Sequence, residues 1–82
     1  MTTTKYIVLD FGFPEPFVFA ETMTHADVAG ALNGIDKVLG AGFCYIKDNK
    51  YVCYGKSISL KVDSRVGVDS EVLNRRLGLN YE

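Results

Sequence analysis

The stretch Asp36 to Val62 decides the fold: DKVLGAGFCYIK (36–47), then Asp48-Asn49, then KYVCYGKSISLKV (50–62). Aromatic and β-branched residues alternate with small ones on both sides of two residues that tolerate positive φ. That is the pattern of a long β-hairpin closed by a type I′ turn. A two-residue loop pairs Lys47 with Lys50, Tyr45 with Val52, Cys44 with Cys53 and Phe43 with Tyr54. Alternation then sorts the ribbon into two faces. Leu39, Phe43, Tyr45, Val52, Tyr54, Ile58 and Leu60 form the expected core face. Gly40, Gly42, Cys44, Ile46, Tyr51, Cys53, Gly55, Ser57 and Ser59 form a small, weakly polar one. A three-residue loop would slip the register and send the two cysteines to opposite faces. The glycines at 40 and 42 also invite a bulge.

A small-residue face admits another backbone at close range. Gly40, Gly42, Cys44, Cys53, Gly55, Ser57 and Ser59 are therefore candidate interface residues, for the chain's own helix or for a second copy or partner protein. Charge divides along the chain. Residues 1–41 hold Lys5 and Lys37 against Asp10, Glu15, Glu21, Asp27 and Asp36. From position 47 to 65 the balance reverses, with Lys47, Lys50, Lys56, Lys61 and Arg65 against Asp48 and Asp63. These five cations are the candidate nucleic-acid contacts; their alternative role is to keep strand edges from pairing.

Outward from the ribbon, Thr4 to Phe11 (TKYIVLDF) reads as a strand. Gly12 to Pro16 breaks it, and a second strand from about Phe17 to Glu21 returns beside it. Both faces of that strand are apolar, which predicts an internal strand or a covered edge. Thr24 and Asp27 have the spacing of a capping box, followed by the helical stripe Val28, Ala31, Leu32 and Ile35. Asn33-Gly34 suits a left-handed stop near Leu32 or Asn33, against the alternative of helix continuing to Leu39. Asp63 to Val68 reads as a loop, and Asp69 or Ser70 as the cap of a last short helix, SEVLNRRL, ending at Gly78. The expected architecture is α+β in the order ββαββα, with a mainly antiparallel sheet in one domain spanning 1–82.

At 82 residues, 48% hydrophobic and 23% charged, the chain has the composition of a folded globular domain. The formal charge of −1 provides no global attraction to polyanions. There is no membrane-length apolar run and no signal-peptide pattern, so a cytoplasmic location is expected. The cysteines are expected as thiols, with a cross-strand disulfide between Cys44 and Cys53 as the alternative. Two cysteines and His25 fall short of a zinc set. Gly55-Lys56-Ser57 ends like a P-loop, but Lys50 stands where the first glycine belongs and the motif lies in a strand. No catalytic constellation, cofactor motif or metal site emerges.

KYIVLDFGFPEPFVFAE (5–21), MTHADVAG (23–30), VLGAGFCYI (38–46), YGKSISLKVDSR (54–65) and DSEVLNRRLG (69–78) together cover most of the chain. In these stretches it resembles a type of small uncharacterised protein encoded in bacteriophage and prophage genomes. The resemblance implies a phage origin and a role inside the host cell, and assigns no site residues. The expected function is a non-enzymatic protein-interaction module acting on a host or phage protein, with self-association through the small-residue face or an open strand edge. The alternative is a nucleic-acid binder using the basic ribbon.

Overall fold

The computed structural model describes residues 3–78. Its elements are β1 (Thr4–Asp10), β2 (Pro14–Ala20), α1 (His25–Ala31), β3 (Val38–Lys47), β4 (Lys50–Tyr54), β5 (Lys56–Ser57), β6 (Val62–Asp63) and α2 (Val66–Arg76). Strands 1 to 4 form an antiparallel sheet in the order β2-β1-β3-β4, and β5 pairs with β6 in a separate ribbon. The fold is α+β, with one helix on each face of the sheet.

The turn at Asp48-Asn49 closes as its chemistry requires. Both residues are left-handed, at φ 54° and 62°, and Cys44 faces Cys53. The second arm is shorter than the alternation implied. Gly55 turns out of the ladder at φ +77°, where an added Cβ would lie 2.9 Å from Phe43. Ile58 and Leu60 thus belong to the β5–β6 excursion, and only Leu60 returns to the core. The expected bulge is present: Val8 pairs with Gly40 and Leu9 with Val38, which leaves Leu39 unpaired. Leu39 is thereby moved to the face opposite Phe43.

Both faces carry a core cluster. The chain's own helix covers the small-residue face, the first of the two readings of that face, while the bulky face is buried only at its inner half. α2 lies on the small-residue face, where Leu73 packs with Tyr6, Val8, Cys44 and Cys53. α1 covers Ile7, Leu9 and Ala41 on the other face, joined by Leu60 and Val62. A helix of seven residues is only about 10 Å long, whereas ten residues of β3 extend about 33 Å. The outer half of the aromatic face is therefore left open. Tyr45 (49%) and Tyr54 (42%) stay exposed there, and Ile58 (82%) shares a cleft with Phe43.

Local signals account for α1. Thr24 and Asp27 make both halves of the capping box. Asn33 at φ 57° ends the helix, with Gly34 N–H donating to Ala29 O and Asn33 N–H to Gly30 O, the paired bonds of a Schellman stop. α2 begins at Val66, earlier than the sequence suggested, because Asp69 is not its cap. Asp69 sits one turn inside and accepts from the N–H of Arg65, the residue before the helix.

Both sheet edges are guarded. β2 is an edge strand that starts at Pro14, not an internal strand from Phe17. Proline fits a ladder only with its nitrogen on the free side, so Pro14 and Pro16 remove two outward donors from that edge. On β4, Asn74 of α2 donates to Tyr51 O and accepts from Tyr51 N–H, while Ser70 Oγ accepts from Cys53 N–H. The helix thus occupies the edge as a further strand would. Self-association through an open edge has no free ladder to use on the β4 side and an impaired one on the β2 side. No helix among the described residues is long and apolar enough to cross a membrane.

Candidate functional site

Each face of the sheet carries a polar feature, and the two differ in access. On the α2 face, fully buried Asp69 accepts from Tyr6 Oη at 2.5 Å and from Arg65 N at 2.9 Å through Oδ2. Its Oδ1 accepts from Arg65 Nε and Nη2 at 3.0 and 2.7 Å. The Tyr6 hydroxyl also lies 2.6 Å from Ser64 Oγ. Gly40 makes room for this carboxylate: a Cβ there would lie 2.1 Å from Asp69 Oδ2. No buried side-chain nitrogen or oxygen among the described residues lacks a partner. A saturated, sealed network of this kind fixes α2 against the sheet and leaves no group free to meet a ligand.

The candidate interface residues of the small-residue face are part of this packing. Gly40, Gly42, Cys44, Cys53 and Ser57 are buried, and only Gly55 and Ser59 reach the surface. The chain's own helix occupies the face, so it is not a docking surface for a second backbone. Cys44 and Cys53 are free thiols. Burial pushes Cys44 up from 9.0 to about 12, with Cys53 adding to the shift. Burial raises Cys53 to about 11 against a lowering hydrogen bond from Ser70. Tyr6 is pushed above its ordinary 10.0 by burial and then by its bond to Asp69.

These three groups ionise more readily in the unfolded chain than in the folded one. Their contribution to stability is full below about pH 9 and is lost as pH rises through their folded values. Urea denaturation from pH 8 to 11 should show stability falling above pH 9, by about 1.4 kcal/mol per pH unit for each group ionised only when unfolded. A flat profile to pH 11 would contradict the packing described here. His25 acts at the other end: burial lowers it below 6.5, so its contribution is lost as pH falls below that value.

The second feature is open. Phe43, Tyr45 and Lys47 of β3 share a face with Lys50, Val52 and Tyr54 of β4, since partners across the ladder point the same way. The Phe43 and Tyr54 rings lie 5.7 Å apart, as do those of Tyr45 and Tyr54. Tyr45 and Tyr54 share this face and Tyr51 lies behind it, the split that the two-residue turn predicts. Lys47 and Lys50 end the row directly opposite each other. Like charges facing across a ladder are destabilising, and neither has an ion-pair partner among the described residues. Lys5, which pairs with Phe43 across β1, flanks the inner end of the row.

Of the five cations singled out from the sequence, Lys47 and Lys50 lie on this face. Lys56 and Lys61 line a shallow hollow of about 280 Å³ that also holds Ile58 and Asp63. Arg65 is withdrawn, because its guanidinium is committed to Asp69. All three arginines are in ion pairs, Arg75 with Glu71 and Arg76 with Glu15, whereas no lysine is paired among the described residues. Lys5, Ile58 and His25 also border the face; the sequence presents Ile58 as core and His25 only as part of an incomplete zinc set, and gives Lys5 no site role. Lys5 was detectable only through a register that sequence does not supply. Among the described residues no cluster of His, Cys, Asp and Glu could hold a metal ion. Comparison with known protein families, curated proteins and solved structures found no match.

Proposed function

We propose that the protein is a non-enzymatic binding module, phage-encoded as its sequence resemblance implies, that holds single-stranded nucleic acid on the open aromatic face of β3 and β4. The row Phe43–Tyr54–Tyr45 ending on Lys47 and Lys50 carries this reading. Exposed rings on a sheet stack bases whatever their identity, and unpaired lysines beside them meet the backbone phosphates. An incoming phosphate would also relieve the repulsion across the Lys47–Lys50 rung. The small-residue face is filled by α2, so it does not supply the surface for a protein partner.

Fluorescence anisotropy with a labelled single-stranded oligonucleotide tests the proposal. Tyr54→Ala and Tyr45→Ala remove exposed rings and should each weaken binding about 5- to 150-fold, from a stacking contribution of about 1–3 kcal/mol per base. With about four phosphates neutralised, log K should fall against log salt with a slope near −3, and Lys47→Ala should make it shallower. Absence of binding at low salt would overturn the reading.

A further inference from the structure

At its inner end the aromatic row opens into a cleft of about 310 Å³ lined by Lys5, Thr24, His25, Phe43, Ile58 and Ser59. Phe43 belongs both to this cleft and to the stacking row, so a strand lying on Tyr45 and Tyr54 leads directly to it. His25 is 3% exposed and sits at the base. Its Nε2 donates to Gly42 O at 2.8 Å, and its ring packs edge-on to Phe19 and Phe43 at 5.4 and 6.1 Å. The base of the cleft is therefore rigid. Ile58, 82% exposed, is a large aliphatic side chain held at the lip, where nothing in the fold requires it.

Three polar groups around the cleft can donate to a ligand, and one of them, Lys5, can only donate. Thr24 Oγ1 accepts from Asp27 N–H at 3.0 Å and Ser59 Oγ from Ala26 N–H at 3.1 Å, which uses one lone pair of each and leaves each hydroxyl able to donate to a ligand. Ser57 Oγ lies a further 3.4 Å from Ser59 Oγ. Lys5 Nζ donates to Met23 O at 2.8 Å and retains two more N–H groups. A volume near the lower limit for ligand sites suits one small ring, set between Phe43 and Ile58. Donors at the rim require acceptors on that ring. Thymine and uracil offer carbonyl oxygens at both exocyclic positions, whereas adenine offers an amino group and is larger.

We infer that this cleft is the base-selective pocket of the strand-binding face and that it takes a thymine or uracil, with Lys5 on the adjoining phosphate. The inference rests on the reading of the face as a nucleic-acid site and adds a preference that stacking alone does not supply.

The test compares oligothymidylate with oligoadenylate of equal length by anisotropy, and titrates ¹⁵N-labelled protein with thymidine monophosphate and with adenosine monophosphate. Oligothymidylate should bind about 10-fold more tightly, equivalent to about 1.4 kcal/mol. Ile58→Ala combined with Ser59→Ala, both at exposed positions, should bring the ratio near one by weakening oligothymidylate more than oligoadenylate. Tyr54→Ala should weaken both strands alike. Thymidine monophosphate should shift the amides of Lys5, Phe43 and Ser59 more than adenosine monophosphate does. Equal affinities for the two strands, or a double variant that weakens both equally, overturn the pocket and leave the stacking face standing. Amide shifts with thymidine monophosphate but no oligonucleotide binding overturn the face and retain the pocket. No response to either overturns both.

Discussion

Asp69→Ala should destabilise the fold by about 3 kcal/mol, read as a lower urea midpoint at unchanged slope. Losing one partner of a buried ion pair costs about 3–5 kcal/mol, chiefly because the other charge is left uncompensated. The lower end applies here, since the Arg65 side chain is 37% exposed and can turn toward water. Two groups cannot follow it. The Arg65 backbone N–H loses its acceptor at the start of α2, and Tyr6 Oη keeps only Ser64. The void also opens against Gly40, which has no side chain to collapse into it. Tyr6→Phe removes one donor and leaves the ion pair intact, so its cost should be about 1–2 kcal/mol. If Asp69→Ala cost less than Tyr6→Phe, the carboxylate would not be the centre of the network.

How much of this was readable in advance depended on the range of the interaction. The Asp48-Asn49 turn, the Thr24–Asp27 box and the Asn33 stop are set by residues within a few positions of one another, and each has the geometry its chemistry implies. The chain's own helix takes the small-residue face as one reading of it expects, but how far the bulky face is covered depends on distant elements. Phe43, Tyr45 and Tyr54 look like core by hydrophobicity, but α1 is too short to reach the outer strands. Leu73 of α2 needs close approach, which the Gly and Cys positions permit and aromatic rings would not. Asp69 has the local pattern of a cap for a related reason. Its partners Tyr6 and Gly40 lie 63 and 29 positions away, and no local pattern shows a carboxylate meeting them. The open aromatic row has the same cause, since α1 covers only the inner half of its face.

Gly40→Ala should be nearly as damaging as the loss of Asp69, and the two changes together should cost less than their sum. Gly40 is not held by an unusual φ, so its requirement is space alone. An added methyl would come within 2.1 Å of Asp69 Oδ2 and 2.8 Å of its Cγ. The tip of a mobile side chain would swing away at small cost, but this carboxylate is held by four hydrogen bonds from Tyr6 and Arg65. Either the network breaks or β3 shifts away from α2, and overpacking of this kind costs about 1–3 kcal/mol. In the double variant, Gly40→Ala with Asp69→Ala, the methyl enters space that the carboxylate has vacated. It should recover about 1 kcal/mol or more of the sum of the single losses, the coupling expected of groups in direct contact. Equilibrium denaturation of the three variants and the parent completes the cycle. Strict additivity would mean that Asp69 and Gly40 do not share the contact, and that α2 is held to the sheet by Leu73 and its apolar neighbours alone.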